Sequence, residues 1–308
     1  MEKSTRTRAY LYLLTNFSLW GCLYVLSKFV LDKLPLFTVA CLRYVIAVAV
    51  LLTVVHVRKL GKIEKDDWKY VFMVGFLGYF LSLGAQLIGT KLSNASLASL
   101  VNSTNPVFIM VMAAVLLKEK LTVRKILSIL LALAGVYIIL GGGSAGAQWA
   151  GIVISFFSVV LWSFVSVYVR KITQKYPPLL VTAYGMLVAA VCNLPIAAVE
   201  LARTEQVSFD AQALVALLAM GVFCTGVAHL LWNQSLSMLE ASTCSAFYLI
   251  QPLVSVVLGI VFLGERVSVS FVVGSVLIVI GVLVCVAAPP AARGKNLPEE
   301  LGGFPSDQ

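Results

Sequence analysis

Apolar residues run along this chain in long blocks, and the polar residues gather in short stretches between them. A helix that crosses a bilayer needs about 20 mostly apolar residues. Ten blocks meet that length. They cover 10–31, 36–57, 70–90, 95–117 and 124–140 in the first half, and 150–169, 179–201, 211–231, 243–263 and 269–288 in the second. Most connections are short, and none has the size of a soluble domain. Residues 289–308 are polar and rich in Pro and Gly, the composition of a disordered tail.

The blocks repeat. Trp20, Lys28 and Pro35 return 142 residues later as Trp162, Arg170 and Pro177, and Asn105-Pro106 with Glu119 returns 146 residues later as Gln251-Pro252 with Glu265. The chain therefore reads as two five-span units, 10–140 and 150–288. An odd number of spans per unit forces the second to point opposite to the first. Inverted repeats of this kind hold a solute between them in secondary transporters.

Composition narrows the class. Hydrophobic residues make up 60% of the 308, charged residues 12%, and the mean hydropathy is +0.96. A soluble domain carries about 25% charged residues, so the chain is read as an integral membrane protein. The net charge of +9 does not mark a nucleic-acid partner, because the basic residues sit in the loops between spans. Counting Lys and Arg by loop gives 17 on the side of the termini and 5 on the other. Basic loops stay inside, so both termini are expected in the cytoplasm. Lys3, Arg6 and Arg8 resemble the start of a signal peptide, but the run that follows is too long for a cleaved core and is expected to be a retained span. The six cysteines lie in apolar runs without metal-ligand spacing, which indicates small packed side chains and neither a disulfide framework nor a metal site.

The residues themselves resemble a family. The first half carries Trp20-Gly21, Lys28, Pro35, Arg43, Ala95-Ser96-Leu97-Ala98-Ser99-Leu100, Asn105-Pro106 and Lys118-Glu119-Lys120-Leu121. The second carries Leu231-Trp232-Asn233, Gln251-Pro252 and Leu263-Gly264-Glu265-Arg266. In order, spacing and duplication these are similar to the EamA-type members of the drug/metabolite transporter superfamily, over residues from about 10 to 288. The resemblance implies an all-α integral membrane protein of ten transmembrane helices in two inverted five-helix repeats. It is nearest to bacterial exporters of amino acids and related metabolites, the YddG-type aromatic amino-acid exporters among them. One departure is Gly185, which stands where the second repeat would carry a counterpart of Arg43.

Candidate transport residues follow from chemistry inside the spans. Pro106 and Pro252 fall near the middle of spans 4 and 9, where a proline frees a carbonyl and kinks the helix. Asn102, Asn105 and Gln251 supply amides beside those breaks, either as a cavity lining or as ties between helices. Asn16, Trp20 and Tyr24 share one face of span 1, Trp162 and Ser166 one face of span 6, and Tyr79 and Gln86 one face of span 3. His229 and Asn233 share a face at the cytoplasmic end of span 8, and Tyr248 completes the set on span 9. Trp20 and Tyr24 could equally be interfacial anchors. Arg43 is the basic residue well inside a span, with a functional role or a structural pair with Glu265 as the two readings.

No Asp or Glu lies in the interior of any of the ten runs. Antiport of hydrophobic cations on a buried carboxylate is therefore not expected, and neutral or zwitterionic solutes are. Gly141-Gly142-Gly143-Ser144-Ala145-Gly146 contains G-x-G-x-x-G and G-x-S-x-G by letter only, without the strand or the histidine either motif requires. The reading is a secondary exporter working by alternating access, not an enzyme, with no cofactor, no metal and a small-molecule solute as partner. It sits in the lipid bilayer of a bacterial inner membrane and is expected to work as a monomer. The alternatives are an exporter of hydrophobic drugs and a membrane receptor or scaffold without transport.

Overall fold

The computed structural model describes residues 3–92, 101–102, 104–140, 149–204, 207–263 and 269–286, and all their regular structure is helical. Several sequence features lie outside the described residues: the Ala95–Leu100 motif, Glu265, the glycine-rich segment around Ser144 and the tail 289–308. The side chains of Tyr24, Lys28 and Pro252 do too.

Helix α1 covers Lys3–Leu31, α2 Leu36–Val57, α3 Lys65–Leu92, α4 Asn105–Leu116 and α5 Val123–Leu140. The second half holds α6 Trp149–Ile172, α7 Pro178–Ala202, α8 Ala211–Met238, the short α9 Ala241–Ala246, α10 Ile250–Leu263 and α11 Val269–Val286. Among the described residues, six helices are long and apolar enough to cross a membrane: α1, α2, α3, α6, α7 and α8. Local chemistry sets several of their ends. Pro35 and Pro177 precede α2 and α7 with extended backbone, and Asp210 caps α8 by accepting the Ala213 N–H at 2.8 Å. Lys118, at φ 54°, turns the chain out of α4 in the left-handed region, so that the Glu119 N–H reaches back to the Ala113 carbonyl at 3.2 Å.

Two prolines were expected to kink spans 4 and 9, and each follows an irregular stretch of its span. Pro106 sits in the first turn of α4, directly after the turn at Thr104. Position 252 lies in the first turn of α10, after α9 and a 3-10 turn at Phe247–Leu249. Proline costs least in a first turn, where its missing N–H has no carbonyl partner to lose. The irregularity therefore comes before each proline, as a turn at Thr104 and as a 3-10 turn at Phe247–Leu249.

The broadest packing runs between the halves. Helix α1 lies against α8 and α10, while its counterpart α6 lies against α3 and α4; α2 packs on α7, and α5 on α11. Without a hydrophobic force between helices in lipid, small residues that let backbones approach carry such interfaces. A Cβ placed on Gly135 of α5 would come within 2.5 Å of the Gly274 carbonyl oxygen of α11. Charged ties repeat with the same offsets. Lys33 pairs with Asp210 at 2.5 Å at one end, and Lys175 pairs with Glu64 at 2.8 Å and Asp67 at 2.7 Å at the other. Lys175 stands 142 residues after Lys33, and Asp210 146 after Glu64. Lys33 holds the Asp210 carboxyl below the usual carboxylate range, helped by the Ala213 N–H, while Asp67 and Glu64 hold the Lys175 ammonium above its own.

Spans 3 and 8 share a second feature. Val74–Ser82 and Met220–Val227 are π-helical and begin 146 residues apart. The Thr225 hydroxyl bonds the Met220 carbonyl five residues back, at 2.9 Å. Such wide turns inside α-helices gather at functional sites.

Candidate functional site

The two π segments bring their helices onto one aromatic group at the centre of the bundle. Trp20 of α1 is its hub. Its ring centroid lies 5.1 Å from His229, 5.3 Å from Phe17, 5.8 Å from Tyr248, 6.0 Å from Trp162 and 6.1 Å from Trp232. Tyr79 closes the group at 5.2 Å from His229 and 6.2 Å from Trp162. Most contacts are edge-on or tilted, the arrangement in which ring quadrupoles attract.

Polar groups line the same cluster. Asn233 donates to the Tyr79 hydroxyl at 2.9 Å and to the Thr182 hydroxyl at 2.7 Å, which ties α8 to α3 and α7. Tyr79 is fixed from the other side as well, because its carbonyl accepts the Tyr44 hydroxyl at 2.6 Å. His229 Nδ1 lies 2.8 Å from the Thr225 carbonyl, one turn back on its own helix. Several buried polar atoms have no partner among the described residues: both amide atoms of Asn16, the Asn233 and Asn105 oxygens, and the Trp162 indole nitrogen. A buried polar group left unpaired costs about 1–3 kcal/mol, so this concentration marks a place built to meet something polar.

The structure brings Trp20, Tyr79, Trp162, His229, Asn233 and Tyr248 together in this group, and Asn16 stands one turn from Trp20 on α1. Others are used differently. Ser166 returns its hydroxyl to the Trp162 carbonyl at 2.8 Å. Asn105 donates to the Asn102 carbonyl at 2.8 Å across the break before α4. Gln86 is half-buried and makes no side-chain hydrogen bond to a described residue; its carbonyl accepts the Thr90 hydroxyl. Tyr79 and Gln86 flank the end of the π segment, where each turn takes an extra residue, so a spacing of seven no longer returns to one face. Gln251 is half-buried at the start of α10.

One expectation needs correction. His229 and Asn233 are not at the end of span 8, because α8 runs on to Met238. They are 3% and 0% exposed, and His229 packs among Trp20, Tyr79 and Trp162. The reading of Arg43 paired with Glu265 falls on a residue outside those described; among the described residues the Arg43 Nε donates to the Thr225 hydroxyl at 3.0 Å. Four contributors were not among the site candidates read from the sequence: Phe17, Thr182, Thr225 and Trp232, the last named there as part of the family motif. Thr225 precedes His229 by one helical turn, which was a usable signal; Thr182 carried none.

A charged network lies at one end of the bundle. Glu119, beyond the turn at Lys118, pairs with Arg170 at 3.0 Å and accepts the N–H groups of Ala241 and Ser242 at 2.9 and 3.1 Å, with the Ser242 hydroxyl at 2.6 Å. Arg170 also donates to the carbonyls of Leu236 and Leu239. Lys125, 4% exposed, joins Glu240 at 2.5 Å and the Ser242 hydroxyl at 2.7 Å beside it. Away from both features, a cavity of about 930 Å³ opens at the other end, between the α1–α2 turn, Lys91 and the end of α7 from Pro195 to Thr204.

Comparison with known proteins gives this geometry a context. The model of the EamA-like transporter family matches the chain twice, over residues 7–141 and 149–287. An uncharacterized transporter of Archaeoglobus fulgidus is 26% identical over 284 residues, covering 91% of this chain and 99% of its own length. YvbV, an uncharacterized transporter of Bacillus subtilis, is 27% identical over 281 residues, covering 91% and 92%. A solved crystal structure superposes with a TM-score of 0.80 over 90% of this chain and 96% of its own, at 23% identity, a likeness of fold.

Proposed function

The chain belongs to the EamA-like transporter family and is a multi-pass membrane transporter, and from that premise we propose that it exports small neutral or zwitterionic metabolites, amino acids foremost and aromatic ones among them. The observation that carries this is the central group of rings with the unpaired polar atoms of Asn16, Trp162 and Asn233 among them. Rings supply apolar contact to a solute body, and the amides and the indole N–H supply direction. A carboxylate that would select a cation is absent from the described residues of this group.

Movement follows from the packing. The halves meet along α1–α8, α6–α3, α2–α7 and α5–α11, and they rock about the central group to open one end at a time. The interrupted helices ahead of Pro106 and position 252 are the pieces that change shape. Glu119, Arg170 and the first turn of α9 hold one end shut. In this reading that end, with both termini, faces the cytoplasm of a bacterial inner membrane, as the basic loops favour for the cytoplasmic side, and one chain carries out the cycle.

Purified protein in liposomes, offered a panel of labelled amino acids and related metabolites, tests the reading. Saturable movement of an aromatic or other apolar amino acid is the expected result. Movement of hydrophobic cations alone, or of nothing across the panel, overturns it; the second outcome favours a receptor.

A further inference from the structure

We infer that Arg43 is the carboxylate-binding residue of the central site, so that the solutes it takes are aromatic or bulky apolar carboxylates, with or without an amine. This rests on the proposed reading of the aromatic group as the solute site.

Arg43 lies seven residues inside α2, about 10 Å from its start at 1.5 Å per residue. Among the described residues it makes one side-chain hydrogen bond, to Thr225, and no ion pair. Glu200 is the acid that reaches α2, and it is already occupied: its carboxylate takes the Thr38 N–H at 2.8 Å and the Thr38 hydroxyl at 3.1 Å. A guanidinium has five N–H donors, so four have no partner among the described residues, Glu265 lying outside them, and they form a planar fork that matches a carboxylate. A charge held inside a membrane protein without a partner costs several kcal/mol and marks function by default.

The repeat places that fork on the wall of the aromatic group. Residue 185 is the counterpart of Arg43 and Tyr79 the counterpart of Thr225, by the offsets of 142 and 146. In the second repeat the side chain at 185 is missing, and the Tyr79 ring fills the room: a Cβ on Gly185 would lie 3.0 Å from Tyr79 Cε2. In the first repeat the sizes are exchanged, with the long Arg43 against the small Thr225. Arg43 and Tyr79 thus belong to two equivalent places, one on each side of the bundle's axis. Thr225 makes the junction direct. Its hydroxyl accepts from Arg43 and its carbonyl meets His229, whose ring touches Trp20, Tyr79 and Trp162. A solute with its ring among these aromatics has its carboxylate on the Arg43 fork. The described residues hold no acid there to demand an ammonium.

The test is quenching of tryptophan fluorescence in the purified full chain, since three of its five tryptophans are in the group. Three probes are titrated: 3-phenylpropionate, phenylalanine, and phenylalaninol, which lacks the carboxylate. The first two are expected to saturate at concentrations at least tenfold below phenylalaninol. Arg43→Gln, which keeps a donor for Thr225, is expected to erase that difference while its response to phenylalaninol stays, with Arg43→Lys in between. Equal affinity of wild type for all three probes overturns the role of Arg43 and leaves the aromatic site standing. No saturable response of wild type to any probe overturns both. The wild-type comparison decides the matter even where a variant does not stay folded.

Discussion

Replacing Glu119 with Gln should open the locked end of the transporter. The carboxylate has four partners: Arg170, the N–H groups of Ala241 and Ser242, and the Ser242 hydroxyl. Glutamine keeps one accepting oxygen and turns an NH2 towards donors that need an acceptor. Breaking a fully buried ion pair costs about 3–5 kcal/mol. Arg170 is 23% exposed and keeps two carbonyl acceptors, so the loss is nearer about 2 kcal/mol. In the proposed cycle these contacts break as this end opens, so the penalty falls on the shut state, and about 2 kcal/mol shifts the equilibrium by about 30-fold. Cys244 reports the shift. It is fully buried on α9, one turn from the contacts of Glu119. In a background that retains Cys244 as its one cysteine, maleimide labelling of Glu119→Gln should run on the order of tenfold or more faster than in the parent. Arg170→Gln should act in the same direction. An unchanged labelling rate in a folded, monodisperse variant refutes the lock. So does a rate that rises only as the protein begins to melt, since that would make the contacts a general prop of the fold.

Four further outcomes follow. Gly135→Ala drives a methyl into the Gly274 carbonyl, and the α5–α11 interface should lose about 1–3 kcal/mol, read as a lower Tm with little change in transport per folded molecule. Pro106→Ala should leave stability within about 0.5 kcal/mol, because a first-turn proline gives up no hydrogen bond. It should slow transport in liposomes by letting the helix run back through the break, and an unchanged rate removes the gating role. Asp210→Asn keeps the cap on Ala213 and deletes the ion pair with Lys33. The folded carboxyl is held below its unfolded value of about 3.9, so wild type should exceed the variant in Tm near pH 7. That advantage should vanish as the pH falls through the folded value, and one that survives in strong acid counts against the assignment. Asn233→Leu removes the donor to Tyr79 and Thr182, and should weaken solute binding in the fluorescence titration more than it lowers Tm.

The legible parts of this protein are those that a short window or a fixed offset carries. Trp20 and Trp162 are matched by the repeat, and the structure puts their rings 6.0 Å apart. A four-residue spacing such as Asn16 to Trp20 runs along a regular helix, whereas Tyr79 to Gln86 crosses the end of the π segment. The matched glycines Gly75 and Gly221 stand in both π segments, against Gly185 and Ile46, yet nothing in their neighbours announces an extra residue per turn. Charge counting placed His229 near a loop. A run that is apolar on every face does not reveal how the helix is rotated, and the rotation is what turns His229 inwards.

The sequence by itself determined a helical membrane protein and its duplicated frame, because bilayer thickness sets run length and a repeat is a one-dimensional fact. Only the tertiary structure decided the partners: Arg43 with Thr225, Glu119 with Arg170 and the start of α9, and Asn233 with Tyr79 and Thr182. Each joins residues separated by 51 to 182 positions. Such pairings depend on how helices rotate and cross, and in lipid that is set by which small residues let two backbones meet.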